Sequence, residues 1–226
     1  MIGVPLAMKL CGLLYIYILI TNAASVGLGN KTGETDSAAK LPTISENPER
    51  YRMGVLIAIA SHLGIVAITA TLFLAFSPQN RQLALIGSLA RLGEAAAMIY
   101  GEITALRLID LAREYALTDS DKIGLASAGD QILLTKNTGV DLGLLLLAIG
   151  AIAYCYSFVQ SGVVPTVFAW LGLAAGVISA IGILIKFASG FGTLAVIGML
   201  LMMVFEVTFG GWLLLYSQSY AMRGPA

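Results

Sequence analysis

Three ionisable side chains interrupt an otherwise apolar stretch, "LARLGEAAAMIYGEI" at residues 89–103. They are Arg91, Glu94 and Glu102. On a helix that turns about 100° per residue, these positions fall within roughly 80° of one another. A charge left alone at the centre of a bilayer costs about 2.5–3.5 kcal/mol, so such a stripe should face the interior of a protein rather than lipid. The pattern predicts a buried polar site.

Two further ionisable residues, Glu206 and His62, lie deep in other apolar segments. At a rise of about 1.5 Å per residue, Arg91, Glu94 and Glu206 should share a level near the membrane midplane, with His62 about one turn further in. We predict that the Arg91 guanidinium bridges Glu94 and Glu206, and that protonation of one glutamate removes the surplus charge. These four residues form the candidate ligand-binding site.

The same residues allow a structural interpretation. A static ion pair that holds two helices together and a polar cavity that binds a ligand or relays protons both fit the pattern. His62 could be a hydrogen-bonded packing residue or a proton acceptor. A second charged group comprises Glu102, Arg107, Asp110, Asp141 and Lys186. We expect this group to be structural or solvated, because charged groups at the membrane edge reach headgroup water.

The elements that position these residues follow from composition. The chain has 226 residues, of which 58% are hydrophobic and 12% charged, and its net charge is zero. A membrane-spanning helix needs about 20 apolar residues. Six segments qualify, at approximately 6–28, 52–76, 82–108, 138–160, 164–187 and 192–216. They lack the alternation of a membrane β-barrel. The sequence therefore predicts an all-α polytopic membrane protein, a bundle of six transmembrane helices.

We expect one domain over residues 1–226, with polar loops at 29–51 and 109–137. In the second loop, Asp119 or Ser120 could cap a short amphipathic helix. The lipid bilayer is the expected surrounding. Nucleic acid is not an expected partner, since the chain has no polybasic tract.

Small residues recur at helical spacing. Gly93, Ala97 and Gly101 form one stripe, and Gly172 with Gly176 forms a GxxxG pattern. We expect close helix contacts within the bundle. The same pattern could serve a homo-oligomer or a partner membrane protein.

The sequence contains none of the motifs of the common catalytic sites, such as HExxH, GxSxG or a P-loop, and it has a single histidine. We therefore expect no enzymatic activity, no cofactor and no metal. Met199, Met202 and Met203 are interpreted as core-filling residues rather than metal ligands, because their spacing is irregular.

Several segments together resemble the DUF4386 family of bacterial and archaeal six-helix membrane proteins. They are "KLCGLLYIYILI", "ISENPERYRMGVLIAIASHLG", "ARLGEAAAMIYG", "SGVVPTVFAWLGLAAGV" and "FEVTFGGWLLL". The resemblance covers nearly the whole chain, and the Arg-x-x-Glu pair and the late glutamate are its more specific parts. It implies the fold and a multi-pass location in a prokaryotic plasma membrane. It carries over no functional residues, because the family's function is unknown.

Two functions remain open at this point. The first is a membrane protein that binds or passes a small solute or proton at the polar site. The alternative is a non-catalytic accessory or scaffold subunit of a membrane complex.

Overall fold

A computed structural model of the protein describes residues 3–118 and 121–221, with the backbone alone for 217–221. Within these ranges the regular structure is helical throughout. The helices are α1 (Val4–Gly27), α2 (Ser37–Glu46), α3 (Pro48–Phe76), α4 (Arg81–Ala105), α5 (Arg107–Leu117), α6 (Lys122–Ser161), α7 (Thr166–Ser189) and α8 (Thr193–Ala221). Asp119 and Ser120, the predicted capping residues, lie outside the described residues.

Six helical stretches of the described chain are long and apolar enough to cross a membrane. They are Val4–Gly27, Pro48–Phe76, Arg81–Leu117, Lys122–Ser161, Thr166–Ser189 and Thr193–Tyr216. Their number and order match the six predicted segments, so the predicted fold class is confirmed. The protein is a polytopic, all-α membrane protein.

The two segments predicted to be polar loops are largely helical, which corrects that prediction. Residues 29–51 contain α2 and the start of α3, and residues 109–137 contain most of α5 and the first part of α6. Asp36 caps α2 by accepting a hydrogen bond from the backbone N–H of Ala39 at 3.1 Å. Such short or polar helices are stabilised mainly by tertiary burial, which sequence periodicity alone does not reveal.

α6 is much longer than the membrane requires. Its 40 residues span about 60 Å at 1.5 Å per residue, whereas the hydrocarbon core is about 30 Å thick. A helix of this length extends beyond the hydrocarbon core and can carry polar residues on the part outside it.

The packing of the chain divides it into two compact units, and the predicted single domain stays a prediction. The first unit contains residues 3–18, 64–95 and 143–221. Aromatic rings form the centre of its core: the centroids of Phe76 and Phe158 are 4.6 Å apart, and those of Phe158 and Phe209 are 5.7 Å apart. Two of these rings, Phe158 and Phe209, also line the small cavity described below.

The second unit contains residues 19–63 and 96–142. Its core joins α2 to α3, α5 and α6. The fully buried members include Leu41, Val55, Leu108 and Leu133. This apolar cluster explains why polar sequence around it is folded into helices.

The small-residue stripes make close helix contacts within the chain, as predicted. In the second unit, a Cβ atom added to Gly101 of α4 would lie 3.1 Å from the Lys136 carbonyl oxygen of α6. In the first unit, a Cβ added to Gly176 of α7 would lie 3.1 Å from the Ala148 carbonyl oxygen of α6. Glycine at these positions lets the helix backbones approach closely without such a contact.

Candidate functional site

Arg91 lies between two carboxylates in the first unit. Its Nη1 is 2.9 Å from Glu94 Oε2 and 3.5 Å from Glu206 Oε1. The first contact forms along α4, because residues three apart share a helix face. The second contact reaches α8. The prediction that Arg91 bridges the two glutamates and that Glu206 faces this helix is confirmed.

The three side chains differ in exposure. Those of Arg91 and Glu94 are 5% and 3% exposed, whereas the Glu206 side chain is 28% exposed. Arg91 and Glu94 therefore form the buried half of the site. Glu206 is the most exposed of the three side chains.

A small cavity lies beside Arg91 and Glu206. Its volume is about 20 Å³, which is enough for about one water molecule. Its polar lining includes Tyr15 of α1 together with Tyr154 and Cys155 of α6. The Nε of Arg91 is buried and has no hydrogen-bond partner among the described residues. A buried N–H next to a water-sized space is the arrangement that an ordered water molecule satisfies.

A second, larger cavity also borders Glu206. Its volume is about 150 Å³. It is lined by Leu144, Leu147, Ser179, Met199, Met202, Met203 and Glu206. The Oγ of Ser179 is buried without a hydrogen-bond partner in the described part of the chain, and the residue is 3% exposed. Glu206 is thus shared between the ion pair and two cavities.

A glycine makes room for the arginine stem. A Cβ atom at Gly150 of α6 would lie 3.2 Å from Arg91 Cγ and 3.2 Å from the Gly87 carbonyl oxygen. A larger residue at position 150 would need the Arg91 stem or the backbone of α4 to shift by a few tenths of an ångström. Gly150 therefore allows α6 to pack closely against the Arg91 stem.

The charges of the site do not balance when both glutamates are ionised. One guanidinium then faces two carboxylates, which leaves one negative charge in a largely buried position. An uncompensated buried charge is costly, so the site favours uptake of a proton or of a positively charged group.

His62, the fourth predicted site residue, belongs to the second unit. It lies on α3, is 6% exposed, and its Nδ1 has no hydrogen-bond partner in residues 3–118 and 121–221. The structure thus brings together three of the four predicted residues, and the participation of His62 in the site stays a prediction.

The second unit holds a buried polar cluster that the sequence interpretation missed. Asn30 Nδ2 donates to Glu102 Oε2 at 2.8 Å, and Lys136 Nζ donates to Asn30 Oδ1 at 2.5 Å. Lys136 Nζ also lies 3.8 Å from Glu102 Oε1. Lys136 and Glu102 are 1% and 3% exposed. Of the two roles expected for Glu102, structural or solvated, the structure shows the structural one, because α6 starts early enough to bring Lys136 against it.

The signal for this cluster was present but ambiguous. Lys136 lies two residues after the apolar run "ILL" and two residues before the predicted fourth membrane segment. The predicted polar loop, which ended at residue 137, included it. Arg107 and Asp110 of the same predicted edge group are exposed, as expected.

Lys40 extends the polar region of the second unit. Its ammonium donates to the Gly29 carbonyl at 3.2 Å and forms an ion pair with Glu34. Burial, with a smaller contribution from the charge of Lys136, lowers the pKa of Lys40 to about 8. The ordinary value is 10.5, so this lysine loses its proton at an unusually low pH.

Fold and site together define an integral membrane protein that buries a cluster of ionisable side chains among its helices. A family model for a domain of unknown function, DUF4386, matches residues 10–216. The chain belongs to the DUF4386 family. No curated protein and no solved structure matches it.

Proposed function

We propose that this DUF4386 protein is a non-enzymatic, multi-pass protein of the cell membrane, in a prokaryote the plasma membrane, that binds or passes a proton or small solute at the site formed by Arg91, Glu94 and Glu206. The observation that carries the proposal is the double position of Glu206. Its carboxylate pairs with Arg91 at 3.5 Å and also lines a cavity of about 150 Å³. A carboxylate with only a structural role in the ion pair would not need to line an open cavity.

The charge balance supports reversible occupancy. A proton on Glu206 would leave Arg91 paired with Glu94 at 2.9 Å, so the buried pair survives both states of the site. The titratable and polar groups around Glu206 are Arg91 and Glu94 of α4, Tyr15 of α1, Tyr154 and Cys155 of α6, and Ser179 of α7. Arg91 is the cation of this set.

The depth of the site also supports the proposal. Glu206 is 13 residues after Thr193 and 10 residues before Tyr216, the ends of its membrane span. At 1.5 Å per residue these separations are about 20 Å and 15 Å. Ionisable residues at such depth mark ion, proton or substrate pathways more often than peripheral ones do.

Infrared difference spectroscopy of the full chain in lipid bilayers tests the proposal. We expect a reversible signal of a protonated carboxyl group during a pH titration of the wild type, and its loss in Glu206→Gln. The matched control is Glu46→Gln, at an exposed position of α2. A spectrum of Glu206→Gln that is identical to the wild type would refute titration of Glu206.

The alternative function is that of an accessory or scaffold subunit that packs against a partner membrane protein, or against a second copy, through glycine-lined helices. It has less support, because Gly172 and Gly176 already contact side chains or backbone of the same chain. Purification in a mild detergent distinguishes the two. A stoichiometric partner that remains bound would favour the alternative.

A further inference from the structure

The cavity of about 150 Å³ beside Glu206 is lined by three chemical types of side chain. One wall is the Glu206 carboxylate, and a second is the Ser179 hydroxyl, which is buried and without a partner in the described chain. The remainder is apolar or thioether: Leu144, Leu147, Met199, Met202 and Met203. Thioethers are soft and polarisable, and they adapt to irregular ligands.

Met199 and Met203 show that this face of α8 is not entirely buried. They are 39% and 48% exposed, whereas Met202 is 2% exposed. The interpretation of all three as core-filling residues therefore holds for Met202 alone. The two exposed methionines also line the cavity.

The net charge of the side chains at the site determines the sign and valence of the ligand that it favours. Arg91 compensates one of the two carboxylates, so a single negative charge remains for the occupant. A monocation neutralises it, whereas a divalent cation would leave an uncompensated positive charge in a buried site. Anions are excluded by repulsion from Glu206.

Size and donor type select between a metal ion and an organic cation. Metal ligands converge to about 2.0–2.6 Å from the ion, which leaves no space of this volume between them. Hard cations such as Ca²⁺ also need about six to eight oxygen ligands, and only Glu206 and Ser179 offer side-chain oxygens here. The space beside Glu206 is partly open at the protein surface, and its volume of about 150 Å³ is large enough for a molecule such as benzene.

We propose that this cavity binds a small organic monocation, a protonated amine carrying an apolar body of up to about six non-hydrogen atoms. The charged end lies at Glu206, and the apolar part contacts the leucine and methionine side chains. The inference rests on the proposed function and deepens it by naming the class of solute.

A substitution at Ser179 distinguishes an effect on ligand binding from an effect on folding. Because its hydroxyl makes no hydrogen bond in the described structure, Ser179→Ala removes no existing interaction and should leave the stability nearly unchanged. An ammonium N–H in the cavity would use that hydroxyl as an acceptor. Ser157 on α6 is the matched control, since its hydroxyl is also buried and unpartnered among the described residues, and it lines neither cavity next to Glu206.

Isothermal titration calorimetry of the full chain in detergent micelles tests the inference, with tert-butylammonium as the probe and tert-butanol as its uncharged counterpart. We expect saturable binding of tert-butylammonium alone. Glu206→Gln should weaken it about tenfold or more, Ser179→Ala should weaken it measurably, and Ser157→Ala should not change it.

Other outcomes overturn the inference in distinguishable ways. Equal binding of tert-butanol would show an apolar void without selection for charge. Binding of Ag⁺ without tert-butylammonium, lost in Met199→Leu but not in Met53→Leu, would show a thioether metal site. No binding of any probe, with the carboxyl signal of Glu206 still present in the infrared titration, would leave the site as a proton site and refute only the organic cation. Loss of both signals would refute the proposed function as well.

Discussion

Removal of the Arg91 charge should destabilise the protein strongly. In Arg91→Met, Glu94 and Glu206 lose their common partner at 2.9 and 3.5 Å, and both carboxylates remain in or near the buried site. Removing one partner of a buried ion pair typically costs about 3–5 kcal/mol, because the remaining charge is left uncompensated. We expect a loss of this size in the free energy of unfolding near neutral pH.

A companion variant identifies the cause. Arg91→Met combined with Glu94→Gln and Glu206→Gln removes all three charges, and replacement of a complete buried ion pair is often nearly neutral. We expect the triple variant to recover most of the loss. Arg81→Met, at an exposed position ten residues earlier on the same helix, is the control and should change stability by less than about 0.5 kcal/mol.

Denaturant titration in mixed micelles measures these values, with fluorescence of Trp170 and Trp212 as the signal. Linear extrapolation gives the free energy of unfolding for each variant. If Arg91→Met were no less stable than Arg81→Met, the reasoning that Arg91 compensates two buried carboxylates would be wrong. If the triple variant were as unstable as Arg91→Met, the cost would come from lost packing of the arginine stem instead.

Three further predictions follow from individual contacts. Gly150→Ala should cost about 1–3 kcal/mol of unfolding free energy, because its Cβ would lie 3.2 Å from both Arg91 Cγ and the Gly87 carbonyl oxygen. The control Gly211→Ala, whose Cβ would have no atom within 4 Å, should not lower the stability. Equal effects of the two substitutions on the unfolding free energy would contradict this. Lys136→Met should lower the unfolding free energy by about 3–5 kcal/mol, because it leaves Glu102 and Asn30 without their cation. The control Arg113→Met, at an exposed position, should change the unfolding free energy little. An unchanged stability of Lys136→Met would show that the cluster does not need the lysine charge. Between about pH 8 and pH 10.5, Lys40 is neutral in the folded protein but still protonated in the unfolded chain. The unfolding free energy of the wild type should therefore rise with pH relative to that of Lys40→Met. Parallel pH profiles of the two proteins would refute the lowered pKa.

The sequence was most informative where one physical requirement dominates. A membrane-spanning helix must carry about 20 apolar residues, so the six spans could be found from composition alone. Helix geometry placed Glu94 beside Arg91 because the two residues are three apart. The depth estimate brought Glu206 to the same level, and the contact at 3.5 Å confirms it.

The sequence was least informative where partners come from distant segments of mixed polarity. Asn30 and Glu102 are 72 positions apart, and Asn30 and Lys136 are 106 positions apart. Their burial depends on the packing of α2 and α5 against the long α6, and short polar helices owe their stability to such packing. Periodicity could not predict this, so the contacts of Glu102 with Asn30 and Lys136 were not predicted.

The most direct test of the central claim is the unfolding free energy of Glu206→Gln near neutral pH. If Glu206 is the spare carboxylate of a binding site, its neutral form removes the surplus charge and keeps Arg91 paired with Glu94. Glu206→Gln should then be as stable as the wild type or more stable. A loss of about 3–5 kcal/mol, comparable to that expected for Arg91→Met, would instead make Glu206 a structural member of the ion pair and contradict the proposed site.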